Sequence, residues 1–140
     1  MEKVRSLLSE LKEACEKIDF NFEVASKEIQ ELIGDLKVID YYVTTEVPSE
    51  HFEGTLMDLC ILTEKALFGY EVKAGSISLY HTVPLSKVTM ISEGIEEEKG
   101  EKYVIAYFYW GPLAALGASA KLNNQEKLRK FLIRVNEYTL

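Results

Sequence analysis

Apolar and polar residues alternate with period two along residues 57–93, and the rest of the chain divides around that stretch. Met57, Leu59 and Ile61 share one parity, and Ala66, Phe68, Tyr70 and Val72 share one beyond the turn at Glu64-Lys65. Such alternation marks strands. Residues 73–75 turn again: Gly75 suits a position of positive φ, and the Thr63 hydroxyl can cap the first turn. Residues 76–92 then return as a third antiparallel strand, with Ile77, Leu79, Val83 and Leu85 on one parity and His81 interrupting the row. Val88 and Met90 have the opposite parity, which predicts a bulge or sharp bend near Ser86-Lys87. Pro84 lacks an N–H and belongs at an edge or at that bend.

On either side the period changes. Val4, Leu7, Leu8, Leu11, Ala14, Cys15 and Ile18 recur at three- and four-residue steps, predicting a helix over 2–17 with one apolar stripe. Residues 18–24 alternate as a strand does, while Phe22, Ala25, Ile29, Leu32, Ile33 and Leu36 fit a helix equally well; the reading between the two is an extended lead-in before a helix over 26–34, capped by Ser26 and ended by Gly34. Residues 38–47 read as a strand, 48–51 as a loop and 52–56 as a lead-in. Residues 92–102 read as an acidic hairpin tip, a solvated turn. Residues 103–110 are apolar on both parities and predict a strand covered on both faces. Gly111-Pro112 breaks it. Residues 113–122 fit a helix by their alanines and a strand by the alternation of Leu116, Ala118, Ala120 and Leu122. A last helix over 124–138 buries Leu128, Phe131, Leu132, Val135 and Tyr138. Asn123 and Glu126 resemble a capping box, and Lys127, Lys130 and Arg134 form a basic edge near Arg129.

The run Leu59-Cys-Ile-Leu-Thr-Glu-Lys-Ala-Leu-Phe-Gly-Tyr70, followed by Val83-Pro-Leu-Ser-Lys-Val88 and a closing helix, resembles the bacterial pleckstrin-homology-like and GRAM-like domains. Those carry a Leu-Thr-acidic-basic-x-Leu hairpin and then an Ile/Val-Pro-Leu-x-x-Ile strand. The likeness covers residues 38–140, and the N-terminal third has no counterpart in the core domain. It implies an α+β fold: a bent antiparallel sheet or partly open β-barrel, with residues 113–122 as its last strand and the C-terminal helix plugging one open end. A helical extension over 1–36 would pack on this main body, residues 37–140. The resemblance also implies protein, peptide or lipid-headgroup partners.

With 140 residues, 47% apolar and 28% charged, the chain is an ordinary globule of one-domain size. The net charge is −7. Residues 38–120 are acidic and residues 121–140 basic. An acidic average argues against nucleic acid and disfavours membrane lipid, since both are held through cations. The hairpins also lack a basic cluster for phosphoinositides. No apolar run approaches the length of a membrane span, and no secretion signal is visible. Cys15 and Cys60 form no CxxC motif. Reduced thiols and a cytoplasmic address are expected, with a single disulfide the alternative.

No constellation for chemistry stands out, so no cofactor and no enzyme activity are expected. His51 and His81 lie far apart with no ligand spacing, and there is no phosphate loop or nucleophile elbow. Gly69 and Gly75 read as hairpin glycines. A Cys60–His81 pair would need contact between neighbouring strands and has no orienting third group. Tyr109 and Trp110, beside Gly111, suit an aromatic surface, whereas Tyr107 and Phe108 suit the core. Candidate binding residues are therefore Tyr109, Trp110, His81, Lys127, Lys130 and Arg134. The chain reads as a non-enzymatic interaction or assembly module. The alternative is a small-molecule binder or small enzyme with a pocket between the N-terminal helices and the sheet. A homo-oligomer, a dimer, is expected from three features: the stripe over 4–18, an open sheet edge, and an acidic body facing a basic helix.

Overall fold

A computed structural model describes residues 2–48, 52–75, 77–111 and 115–139. Two N-terminal helices, α1 (Glu2–Ile18) and α2 (Phe22–Ile33), precede β1 (Val38–Thr44), β2 (Thr55–Thr63), β3 (Ala66–Lys73) and β4 (Ile77–Pro84). A 3₁₀ turn at Leu85–Lys87 leads to β5 (Met90–Glu98), β6 (Glu101–Tyr109) and β7 (Ala115–Lys121). A second 3₁₀ turn, Leu122–Asn124, leads to α3 (Glu126–Thr139). The strands form two antiparallel sheets, β1-β2-β3-β4 and β5-β6-β7, and neither closes into a barrel. The parity switch after Leu85 is the corner at which the chain leaves one sheet for the other, so residues 76–92 are parts of two strands rather than one. Residues 49–51, within the expected loop, and 112–114, at the start of the expected last strand, lie outside the described residues.

The β2–β3 ribbon of the first sheet is buried on both faces. Cys60, Leu62, Leu67 and Val83 face inward, packed with Val104, Ala106 and Phe108 of β6, Leu116, Ala118 and Ala120 of β7, and Leu128, Phe131, Leu132 and Val135 of α3. Met57, Leu59, Ile61, Phe68, Tyr70 and Val72 face outward, under Leu7, Leu11, Ala14 and Cys15 of α1 and Ala25, Ile29 and Ile33 of α2. The apolar stripe of α1 is therefore spent on its own sheet. α3 enters the inner cluster edge-on: the Phe131 ring stands 6.2 Å from Phe108 at 88° and 6.4 Å from Tyr42.

Several expectations need correction. α2 begins at Phe22, because the Asn21 carboxamide caps it by accepting from the Val24 N–H at 3.2 Å. Ser26, expected as the cap, is buried inside the helix and its hydroxyl accepts from Gln30. Asn123 sits in the 3₁₀ turn rather than in a capping box, and Tyr138 is exposed, with the Arg134 guanidinium 5.8 Å from its ring centre. The acidic tip is mostly strand: only Lys99 and Gly100 turn, both at positive φ, and an exposed edge strand tolerates the glutamates. On β6 the inner Val104, Ala106 and Phe108 are buried, whereas on the other face Ile105 is buried and Tyr103, Tyr107 and Tyr109 are half-buried. Thr63 does cap its turn, accepting from the Ala66 N–H at 3.0 Å and donating to the Ala66 carbonyl at 2.8 Å.

Gly69 is no hairpin glycine. It lies mid-strand in β3, buried, where an added Cβ would overlap the Leu116 side chain of β7. Its missing side chain lets the two sheets approach. Gly117 plays the same part for Phe52, whose ring crosses it and stands 6.3 Å from Tyr107.

Two outcomes follow in urea denaturation. Gly69→Ala should cost about 1–3 kcal/mol by overpacking, and Leu116→Ala in the same chain should recover part of that loss. No loss on Gly69→Ala would mean that the sheets are not in contact there. Leu7→Glu with Leu11→Glu should abolish cooperative folding, because two charges would enter a dry interface. A folded, soluble variant would place the stripe outside the core.

Candidate functional site

Three places gather polar or exposed side chains, and the sequence-predicted residues divide among them. The first is the free side of β4. This strand is hydrogen-bonded to β3 alone among the described strands. Its inward row of Ile77, Leu79 and His81 extends past the inner core cluster, so Ile77 is 56% and Leu79 43% exposed, with Tyr80 on the other face at 56%. Only Val83 and Leu85 of the expected apolar row are buried. His81 and Trp110 meet here, ring centres 6.1 Å apart, while Tyr109 stacks beside Tyr107 at 5.9 Å.

On the outer face of β4, Tyr80 forms a recess of about 180 Å³ with Glu28, Glu31 and Leu32 of α2. The Glu28 carboxylate reaches across the sheet, accepting from the Ser78 hydroxyl at 3.0 and 3.3 Å and from the Tyr70 hydroxyl at 3.5 Å. Burial, with the Glu28 charge beside it, pushes the Tyr70 phenol up to about 12.

The second place is a cleft of about 240 Å³ between α1 and α3, floored by β1 and lined by Lys3, Glu10, Asp40, Tyr41, Lys127 and Lys130. It is neutralised from within. Lys127 pairs with Glu10 at 3.2 Å and Lys3 with Asp40 at 3.5 Å. Tyr41 donates to Glu10 and also contacts the Ser6 hydroxyl. Burial and the bond to Glu10 push the Tyr41 phenol up to about 12. The rest of the basic edge is also occupied: Lys130 meets Glu126 at 3.1 Å, Arg129 meets Glu93 at 3.3 Å and Arg134 meets Glu137 at 3.1 Å. Lys127 and Lys130 thus share a cleft, and Arg134 lies apart from it with Tyr138. No bare cationic face results.

The third place was missed by sequence reasoning. Asp58 is buried on the inward face of β2, aligned across the sheet with Thr44 of β1 and Glu71 of β3. Glu71 accepts from the Thr55 hydroxyl at 3.1 Å and pairs with Lys73 at 3.6 Å. Burial first, then the Glu71 charge, push the Asp58 carboxyl well above the usual carboxylate range, against the Leu59 N–H and Lys73, which lower it. The signal was available: Asp58 is the lone charge in an otherwise apolar strand.

Cys60 and His81 do not meet. Gly69 lies between them in register, so they stand two strand spacings apart, about 9–10 Å. Burial raises the Cys60 thiol well above its ordinary value, and Asp58 and Glu71 add to that. Burial also pushes the Cys15 thiol up to about 11, and the two cysteines are free, in clusters on opposite faces of the sheet. Among the described residues no group of three or more His, Cys, Asp or Glu is placed to hold a metal, and no helix is long and apolar enough to cross a membrane. His51 lies outside the described residues. The interface between the N-terminal helices and the sheet, where the alternative reading put a pocket, is apolar through its middle, and an open cleft of about 810 Å³ lies at its edge, lined by Lys3 and Val4 of α1, Gln30 and Ile33 of α2, and Leu36 and Val38.

Two solved structures are similar to this one. A pleckstrin homology domain from Shewanella amazonensis matches with a TM-score of 0.55 at 14% identity, covering 82% of this chain and 95% of its own. A DUF1696 family protein with a pleckstrin-homology domain, from Shewanella loihica, matches with a TM-score of 0.51 at 15% identity, covering 86% of this chain and 94% of its own. No family model and no curated protein matches the sequence. The chain therefore has the fold of the bacterial pleckstrin-homology-like domains. The matched span is longer than residues 38–140 alone, so the likeness also takes in part of the N-terminal helical region.

The buried acid makes a signed prediction. A carboxyl whose folded pKa is raised holds its proton more tightly in the native state. Stability therefore falls as pH rises from the unfolded value, about 3.9, toward the folded one. Compared with Asp58→Asn, the natural chain should lose stability in urea melts as pH rises above about 4, the unfolded value. A relative gain over that range would mean that Asp58 is held as a stabilised carboxylate.

Proposed function

We propose that this chain is a non-enzymatic interaction module whose contact surface is the free edge of β4. The observation that carries this is the exposure of Ile77, Leu79 and Tyr80 on both faces of a strand that, among the described strands, is paired on one side only. An unpaired edge offers backbone N–H and C=O groups to another strand, and apolar side chains above and below it add area to that pairing. β5 is also an edge, but it carries Glu93, Glu96, Glu97 and Glu98, which discourages strand pairing by charge.

A protein or peptide suits this surface better than a phosphate-bearing ligand. The cations of α3 are each within ion-pair distance of a carboxylate, and the chain carries a net charge of −7, which argues against nucleic acid and anionic lipid. Two free, buried thiols support a reducing, cytoplasmic setting. Self-association into a dimer, if it occurs, has this edge as its route, because the α1 stripe is committed to the sheet.

Photo-crosslinking tests the assignment. With a photoreactive residue at Leu79, discrete polypeptide adducts should form in cells. At Ile133, an even more exposed apolar site on α3, they should not. Equal adducts at both positions, or strong salt-sensitive sedimentation with anionic vesicles, would contradict it.

A further inference from the structure

Resting on that reading of the β4 edge, we infer that its partner is an extended segment of another protein carrying a basic residue between apolar neighbours. A strand laid along β4 would direct alternate side chains to its two faces. On the inward face they would meet Ile77 and Leu79, both exposed. On the outward face one would enter the recess of Glu28, Glu31, Leu32 and Tyr80.

That recess, about 180 Å³, is smaller than a small-molecule pocket, about 300–1,000 Å³, and is of a size for one side chain. Its chemistry is cation-selective. Neither Glu28 nor Glu31 is ion-paired to a Lys or Arg among the described residues, in contrast to the paired carboxylates around α3. Glu28 is held over the sheet by Ser78 and Tyr70. Tyr80 supplies an exposed ring for stacking, and Leu32 an apolar wall for an aliphatic stem. A carboxylate pair beside an aromatic face is what an arginine binds best, through its planar fork and its affinity for π faces.

A second copy fits less well. Residues 77–84 contain no Lys or Arg, so β4 paired with itself about a two-fold axis would bring no cation from β4 to either recess. The occupant is therefore a different chain.

Fluorescence anisotropy with defined probes tests this. The peptide Ser-Val-Thr-Val-Arg-Val-Thr-Val-Ser, its twin with Glu in place of Arg, and an Arg peptide N-methylated at alternate residues would be titrated with the full chain. The Arg peptide should bind saturably, the Glu twin roughly tenfold or more weakly, and the methylated peptide not at all. Glu31→Lys is at an exposed site and should reverse the order of the twins with circular dichroism unchanged. Leu79→Lys should remove binding of both.

Equal affinity for the twins, lost with Leu79→Lys, would leave the edge reading standing and overturn the basic-residue inference. No saturable binding by either twin would also overturn it, while crosslinking at Leu79 judges the edge reading separately. A natural chain that is dimeric by light scattering, made monomeric by Leu79→Lys and not dissociated by the Arg peptide, would make a second copy the occupant and overturn the inference.

Discussion

The structure depends on burying the β2–β3 ribbon on both of its faces. A half-open sheet pair with one closing helix has an outer face to cover, and here that face carries Met57, Leu59, Ile61, Phe68, Tyr70 and Val72. Each such side chain is worth about 1.5–3 kcal/mol against exposure. Their sum is as large as the whole net stability of an ordinary domain, about 5–15 kcal/mol. α1 and α2 are therefore a layer of the core rather than an appendage. The ribbon is the shared wall of two apolar clusters, one made with the helices and one with the second sheet and α3.

This arrangement decides where the surface is left open. The ribbon is central and covered, and β1 is covered by α1 and α3, so exposure falls on β4 and β5, the outermost strands toward the corner at Leu85–Lys87. On β5 Glu93, Glu96 and Glu97 are exposed beside Met90 and Ile95, while the exposed positions of β4, Ile77, Leu79 and Tyr80 among them, include no carboxylate. Charge protects one edge and leaves the other suited to pairing. The cations of α3 are paired as well: Lys127 and Arg129 tie α3 to Glu10 of α1 and Glu93 of β5, so the basic segment seen in the composition meets carboxylates of neighbouring elements.

Much of the fold was legible because its strands and helices have clean periods. The parity switch after Leu85 marked the corner between sheets, and the α1 and α3 stripes marked buried helices. What could not be read was which faces are covered twice. Alternation on β2 suggests one buried face, yet Cys60 and Leu62 are as buried as Leu59 and Ile61, since coverage is decided by elements far away in sequence. The same limit hid Gly69, whose role is set by Leu116 on another sheet, and made Ile77 and Leu79 look like core. The candidate site was partly legible: His81 and Trp110 do meet and Lys127 and Lys130 do share a cleft, but Glu28, Glu31 and Tyr80 come together on the outer face, and Asp58 aligns with Glu71 on the inner one, only through tertiary register.

Native-state hydrogen exchange tests the interdependence of helices and ribbon most directly. If the outer face is a full half of the core, the amides of α1 and those of Leu59, Ile61, Phe68 and Tyr70 should open with one common free energy, equal to that of global unfolding. Opening of α1 and α2 at a markedly lower free energy, with β2 and β3 still protected, would contradict the account.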